Sequence, residues 1–527
     1  MALPARLQPL PIPAGRGIAG KSWPVAPAVL CGLFMSLLTV RFLVAPVDRF
    51  DEGLTVTRAM LVAAGRLPYR DFWTSYGPLD SMLLGFLFRL FGQDILVERV
   101  LAVAVALALA GLAFYACTLL RLRGATRILM TGLIALTGAA IPAFNAAVLG
   151  LMLAVGAVVC FLRALEQRDW RLFALAGGMT ALTSLARPEL GLVIGAGLGA
   201  GQLLALWRRS VRPADVLAFC GGAIFLGAVL WVPFAIIASP QTLFFDVVVH
   251  ALVLFPAGRR IPLGQGGDAA AVLVFSACFV LVWLWGIFHL VRRPNDTDAP
   301  RLLALLGCAI PLFSWVFTRA DAPHAIDAWP LTGLLLAMLV GTRPVSAASG
   351  RSHRAMAGAG LLLFAVTLTA LAGRDLARNP AGGPIERASL PRVSAWLTSS
   401  DLNALIRAID ARVTDGRPIY VGLRHNDEQV FSDTMVYFLA GRLPGTFYLE
   451  DLPGLTTTDV VQRRIVCQLA ASHVGLVVLG PDVPGEPSNL SSKPGSTVLD
   501  DWLAEHTTRR ETIGPYVLLS IDPGPGC

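Results

Sequence analysis

The chain is 527 residues long, 55% hydrophobic and only 15% charged, with a mean hydropathy of +0.65. Soluble domains carry about 25% charged residues, so this balance excludes a soluble enzyme and predicts a polytopic α-helical membrane protein. The net charge of +8 is almost all arginine, with lysine only at Lys21 and Lys493. Much of it lies in short loops between apolar runs, where it speaks of membrane orientation and not of nucleic acid.

The apolar runs predict eleven spans, near 25–46, 97–120, 126–143, 146–163, 171–187, 189–207, 215–238, 270–291, 301–318, 328–342 and 356–372. Residues 1–24 form a cytoplasmic N-terminus. The first run is too long for a signal-peptide h-region and lacks a small-residue exit, so it is retained as a span. Residues 79–91, "LDSMLLGFLFRLF", either cross or lie in the interface. Charge parity separates the two. If they lie in the interface, the arginine-bearing loops 121–127, 163–171, 207–212, 291–301 and 342–354 all fall on the cytoplasmic side, as the positive-inside rule requires.

That threading places 47–96, 144–145, 187–189, 239–269, 319–327 and everything beyond about 373 on the outer side. Arginine is disfavoured there and needs a reason. Six cysteines (Cys31, Cys117, Cys160, Cys220, Cys278 and Cys308) sit in apolar runs without CxxC spacing, which excludes a zinc or disulfide framework. Cys467 and Cys527 would pair only by accident of the fold. Residues 373–384 read as a linker. Beyond it, "DLNALIRAIDARV" and "VVQRRIVCQLAAS" have helical spacing, while "PIYVGL", "VGLVVLG" and "YVLLSID" read as strands, so 385–527 is expected to be a small α/β domain on the outer face.

The first outer loop, 47–96, is dense in polar residues. Asp51 and Glu52 follow the first span, and "LTVTRAMLVAAG" is amphipathic, with Leu54 and Leu61 on one side and Arg58 opposite, suited to lying along the membrane surface. "LPYRDFWTSYGPL" adds proline-fixed turns and interfacial aromatics. A plain solvated loop accounts for the same composition.

The ordered set "DEG", "G-x-x-PY-x-D", "YGPL" and "LFG-x-x-x-x-x-x-R" over residues 45–100 resembles the first outer loop of GT-C glycosyltransferases that use polyprenyl-phosphate sugars. These are bacterial relatives of protein O-mannosyltransferases and of the lipid A aminoarabinose transferase. "RPELG" and "RADAPH" resemble later outer-loop motifs of bacterial members, and "YFLAGRLPGT" through "LDDWL" resembles the tail domain of some members. The resemblance implies a GT-C-like bundle of about eleven spans in a bacterial inner membrane, with its active site and C-terminal domain facing the periplasm or exterior. It implies a polyprenyl-phosphate-linked sugar donor, a glycan, lipid or protein acceptor, surrounding membrane lipids, and no nucleic acid. It maps the catalytic base to Asp51, with Glu52 either assisting or turned to solvent. Inverting transfer needs one carboxylate to take the acceptor proton and positive charge on the leaving phosphate, and arginine grips phosphate bidentately.

Candidate substrate contacts are Arg58, Tyr69, Asp71 and Tyr76 in the first loop and Arg187, Arg259, Arg260, Arg319 and His324 in later outer loops. Asp71 alternatively caps a turn or pairs with Arg70, and Arg187 alternatively pairs with Glu189 in a helix–helix turn. The stretch "LFFDVVVHALVLFP" is either a lid or an interfacial helix. Where several relatives carry a second acid, this chain has Asn145 in "PAFNAAV", so no essential metal and no cofactor are expected. The competing function is a non-enzymatic carrier or binder of anionic lipid-linked sugars, for which the carboxylate at Asp51 would serve little purpose.

Overall fold

The structure, a computed structural model, describes residues 45–140, 143–254, 260–265, 268–341, 384–388, 390–393, 397–427, 432–452, 454–481 and 495–524, with parts of 33–38 and 358–373. Most of the expected spans near 25–46 and 356–372, most of the 373–384 linker, Arg259 and the 342–354 loop lie outside the described residues. No polar partner exists in a bilayer for an open backbone, so the apolar runs close their hydrogen bonds as helices. They are α1 (Asp51–Ala63), α2 (Leu79–Phe91), α3 (Ile95–Leu119), α4 (Gly124–Ala140), α5 (Ala146–Gln167), α6 (Trp170–Ala186), α7 (Pro188–Trp207) and α8 (Pro213–Ala238). After these come α9 (Pro240–Phe244), which runs on into a π-helix (Phe245–Leu254), then α10 (Ala269–Arg292), α11 (Ala299–Leu312), α12 (Ser314–Thr318) and α13 (Ala322–Gly341).

Among the described residues, seven helical stretches are long and apolar enough to cross a membrane: α3, α5, α7, α8, α10, the continuous Ala299–Thr318 stretch and α13. The chain is therefore a multi-pass membrane protein. α2 has 13 residues, roughly 20 Å of helix, too short for a hydrocarbon core of about 30 Å. α8 leaves Leu217, Ile224, Phe225 and Ile236 exposed, a face that suits lipid and not water. α6 meets α8 closely because Gly177 faces the Phe219 carbonyl and Gly222 faces that of Ala174, with no room for a β-carbon at either.

Beyond the bundle, β1 (Ile385–Arg387) pairs antiparallel with β2 (Leu397–Ser399), which leads into α14 (Ser400–Arg412). The remaining elements are β3 (Tyr420–Gly422), α15 (Met435–Ala440), α16 (Asp459–Ala471), β4 (Leu476–Leu479), α17 (Val498–His506), β5 (Thr507–Ile513) and β6 (Tyr516–Ile521). The four-stranded sheet runs β3-β4-β6-β5, with β3 parallel to β4 and the other neighbours antiparallel. Cys467 is disulfide-bonded, while Cys117, Cys160, Cys220, Cys278 and Cys308 are free.

The α1 helix corrects one expectation. It does not lie along a membrane surface with Arg58 in water. Nearly the whole helix is buried, and Arg58 is only 2% exposed. α2 packs along one side, where Gly85 leaves space for Val62, and the C-terminal domain covers another. A β-carbon on Gly53 would stand 2.5 Å from the Met435 nitrogen, so α15 approaches the α1 backbone directly. Main-chain bonds stitch the two regions together: Val47 N–H to Leu397 O (2.9 Å), Trp73 N–H to Phe447 O (2.8 Å) and Ile95 N–H to Arg392 O (3.1 Å).

Candidate active site

The first turn of α1 sends two adjacent acids in opposite directions. Asp48 caps the turn, its Oδ1 accepting from the amides of Phe50 (2.7 Å) and Asp51 (3.1 Å), while its own amide donates to Glu52 Oε2 (2.7 Å). Successive helical residues point about 100° apart. Glu52 therefore turns inward and is fully buried, whereas Asp51 stays exposed. Glu52 is gripped by Arg99, Nε to Oε1 at 2.6 Å and Nη2 to Oε2 at 2.9 Å. Arg99 is the arginine that closes the "LFG…R" pattern, and it also donates to the carbonyls of Ala45 (2.9 Å) and Pro46 (3.3 Å). Its neighbour Glu98 accepts from the Phe144 amide. Glu52 thus fastens the loop to α3 and does not reach solvent. Burial, with repulsion from Asp51 and Glu52, pushes the Asp48 carboxyl up to about 7.

The 66–80 segment shapes the next wall. Tyr69 takes a left-handed backbone (φ 66°) and donates from its hydroxyl to Tyr76 O at 2.6 Å. Gly77 presses against the turn between α6 and α7: a β-carbon there would sit 1.9 Å from Leu185 O, and its amide donates to Ala186 O at 3.2 Å. This approach brings the Tyr76 ring to the guanidinium groups of Arg187 (4.8 Å) and Arg58 (5.4 Å). Pro188 ends α6 and opens α7, which leaves Arg187 extended between them. Arg187 also lies over the Trp315 ring at 4.5 Å and bonds Glu189 at 2.6 Å. The ion pair with Glu189, one of the two alternatives for Arg187, is formed, and the same guanidinium lies against Tyr76 and Trp315. Arg58 is paired with Glu450 of the C-terminal domain.

The third wall is the turn into α13. Arg319 Nε bonds Asp321 Oδ2 at 2.6 Å, and Asp321 Oδ1 accepts from the His324 amide (3.1 Å) and meets its Nδ1 (2.6 Å). Burial works against ionisation of Asp321, but His324 and Arg319 outweigh it and hold the carboxyl below the usual range. Residue 261 pairs with this turn through Ala320 N–H to Ile261 O (3.0 Å), which places the start of the 260–265 segment beside it. Arg260 is exposed on that segment.

Asp327 completes the arrangement. It lies in the α13 stretch after His324, is 8% exposed, and feels the charges of His324, Arg187, Asp321 and Asp51. Among the described residues, its Oδ1 finds no hydrogen-bond partner. Asp51, Arg187, Arg319, His324 and Asp327, separated by up to 276 positions in the chain, thus share one end of the bundle, with Tyr76 and Tyr69 behind Arg187. Asp71 stands apart, accepting from the Leu67 amide (2.8 Å) and from Arg70 (2.7 Å). Asn145, which stands where several relatives carry a second acid, caps α5 by accepting from Val148 N–H at 2.9 Å.

The sequence reading missed Asp327, Arg99, Glu450 and Asp246, which accepts from Trp73 Nε1 at 3.1 Å. A carboxylate opening an apolar run, as in "AIDAWPLTG", was the available signal for Asp327. The π-helix that carries Asp246 also sets His250 edge-on to Trp73, ring centroids 4.7 Å apart. Among the described residues, no group of three or more His, Cys, Asp or Glu is arranged to hold a metal ion.

No family model matches the sequence, and no curated protein sequence matches it. Solved structures do. The chain superposes on ArnT from Cupriavidus metallidurans bound to undecaprenyl phosphate with a TM-score of 0.56 and 14% identity, covering 94% of this chain and 97% of that one. The chain has a GT-C-like fold. The Archaeoglobus fulgidus oligosaccharyltransferase in complex with Zn and sulfate gives a TM-score of 0.52 at 14% identity, over 86% of this chain and 68% of that one. At such identity the likeness speaks for the fold alone. Within this GT-C-like fold, the "DEG" acids, the "YGPL" tyrosine and the "RPELG" and "RADAPH" arginines all gather at one end of the bundle.

Proposed function

We propose that this GT-C-like chain is a membrane glycosyltransferase. It moves a sugar from a polyprenyl-phosphate donor to an acceptor hydroxyl at the outer face of a bacterial inner membrane. The observation that carries this reading is that an exposed carboxylate, Asp51, shares one end of the bundle with two arginines, Arg187 and Arg319, each bonded to its own acid. The solved ArnT structure with bound undecaprenyl phosphate supports the class of donor.

In the proposed step Asp51 takes the proton of the acceptor hydroxyl as its oxygen attacks the anomeric carbon. The bond from that carbon to the phosphate oxygen breaks, and its electron pair leaves with the polyprenyl phosphate. Arg319 and Arg187 stabilise the charge that grows on the leaving phosphate, which water cannot do inside the bundle. Glu52 acts on Asp51 only by fixing α1, so it is a positioning residue. Arg58 positions Tyr76. The disulfide at Cys467 supports an oxidising compartment for the C-terminal domain, hence the periplasm or exterior.

The test is transfer by the purified chain from a polyprenyl-phosphate sugar, read by mass spectrometry of the acceptor. Asp51→Asn should remove transfer and leave donor binding intact. Full activity of that variant would overturn the mechanism, and wild-type binding without any transfer would favour a carrier. For orientation, single cysteines at Arg123 and at Val460 (78% exposed) should label from opposite sides of the membrane.

A further inference from the structure

The end of the bundle away from Asp51 holds two adjoining cavities, of about 710 and 520 Å³. α3 runs from the Glu52–Arg99 pair at its start to Leu119, 25 residues later, so roughly 37 Å of helix separates the two ends. The cavities share Arg121, Asp298 and Arg301 in their walls. Arg123 and Arg293 line the first, and Arg168 and Arg208 line the second. Against these six arginines stand three carboxylates, Asp296, Asp298 and Glu166, which leaves a surplus of three positive charges. The floor of the larger cavity is apolar, made by Leu119, Leu120 and Met338.

Orientation by positive charge explains arginines on this side but not their arrangement. The rule asks only that charge lie in the loops. Here arginines following the C-terminal ends of α3, α5, α7 and α10, with Arg123 before α4 and Arg301 in the first turn of α11, line two adjoining recesses, of which the larger has an apolar floor. Two of them also sit where glycine would be the unstrained choice. Arg121 (φ 68°) and Arg168 (φ 55°) are left-handed at the C-terminal ends of α3 and α5, and Arg168 closes its helix with an amide bond to Ala164 O at 2.8 Å. That backbone favours glycine, so a glycine at either position would relieve strain while removing the guanidinium.

We propose that these cavities bind the phosphate headgroup of an anionic membrane lipid, with its chains against Leu119 and Met338. Arginine provides several donors in a plane that match phosphate oxygens even while one donor serves an aspartate. Basic recesses between helix ends are the form such lipid sites take. The site is remote from Asp51 and independent of the proposed transfer.

The test uses the full chain purified in detergent, with melting temperature and native mass spectrometry read against phosphatidylglycerol, phosphatidylcholine and inorganic phosphate. Phosphatidylglycerol should raise the melting temperature and give discrete bound adducts, and phosphatidylcholine should do neither. Arg168→Gly relieves backbone strain, so its lipid-free melting temperature should equal or exceed wild type while phosphatidylglycerol binding weakens roughly tenfold. A role confined to the fold would lower the lipid-free melting temperature instead. Arg123→Gln, at an exposed position, should weaken the same binding without any change in the lipid-free melt. Equal effects of the two lipids, unchanged phosphatidylglycerol binding in both variants, or full stabilisation by inorganic phosphate alone would each overturn the proposal.

Discussion

Glu52 and Arg99 are locked in a two-bond ion pair, at 2.6 and 2.9 Å, with both side chains only 1% exposed. The next residue back, Asp51, is exposed on the same helical turn. The pair therefore holds the α1 N-terminus against α3, and the free acid inherits its position from the buried one. Two adjacent carboxylates thus divide structure from chemistry.

Glu52→Gln and Asp51→Asn should separate these roles. Removing one partner of a buried pair costs about 3–5 kcal/mol, so Glu52→Gln should melt well below wild type. Asp51→Asn should shift stability by no more than about 1 kcal/mol, since a first-turn acid at a helix N-terminus contributes little more, while abolishing transfer. Thermal melts beside transfer rates decide the matter; a stable, inactive Glu52→Gln would reverse the assignment.

Gly77→Ala probes how Tyr76 reaches Arg187. The added methyl meets Leu185 O at 1.9 Å, so the 74–80 segment must move away from the α6–α7 turn. Such overpacking costs roughly 1–3 kcal/mol. Transfer should fall with a raised KM for the donor, because the Arg187 wall loses its support. An unchanged donor KM would show that Tyr76 and Arg187 do not act together.

Arg319 is the first choice for the donor phosphate, with Arg187 second. A charge-assisted contact is worth roughly 1.5–3 kcal/mol, or about 10–100-fold in kcat/KM. Arg319→Ala should show at least that loss. Arg319→Lys keeps the charge without the planar fork and should retain part of the activity. Transfer rates across donor concentrations check this, and wild-type behaviour of Arg319→Ala would return the residue to the fold.

The C-terminal domain should lose stability as pH rises. Burial, reinforced by Asp500 and Glu450, pushes Asp451 up to about 7. Burial pushes Asp433 up to about 6 despite Arg49 and Tyr516. Each holds its proton more tightly when folded, so its stabilising contribution is complete below about pH 4 and lost as pH rises through 6 and 7. Between pH 5 and pH 8 the melt should weaken on the order of 2 kcal/mol. Asp451→Asn should flatten that dependence and raise the melting temperature at pH 8. A melt that strengthens with pH in both proteins would contradict the assignment.

Helix positions were legible because desolvation is read from local composition. The run expected at 97–120 is the helix Ile95–Leu119, and the stretch expected at 460–472 is Asp459–Ala471. The "YGPL" glycine and the "LFG…R" arginine were legible as a pattern but not as causes, since the carbonyl of Leu185 and the carboxylate of Glu52 that explain them come from other elements.

Length, hydropathy and charge placement by themselves determined a multi-helix membrane chain with a small α/β domain after it, because each apolar run meets the cost of its own backbone internally as a helix. Only the tertiary structure decided which charges are buried and what they face. Arg58 reads as a surface residue until Glu450, 392 positions away, neutralises it. Asp327 reads as the edge of a span until folding buries it within reach of the charges of His324 and Arg187. A buried charge is tolerated only with its partner in place, and partners so distant in the chain meet only when the helices pack.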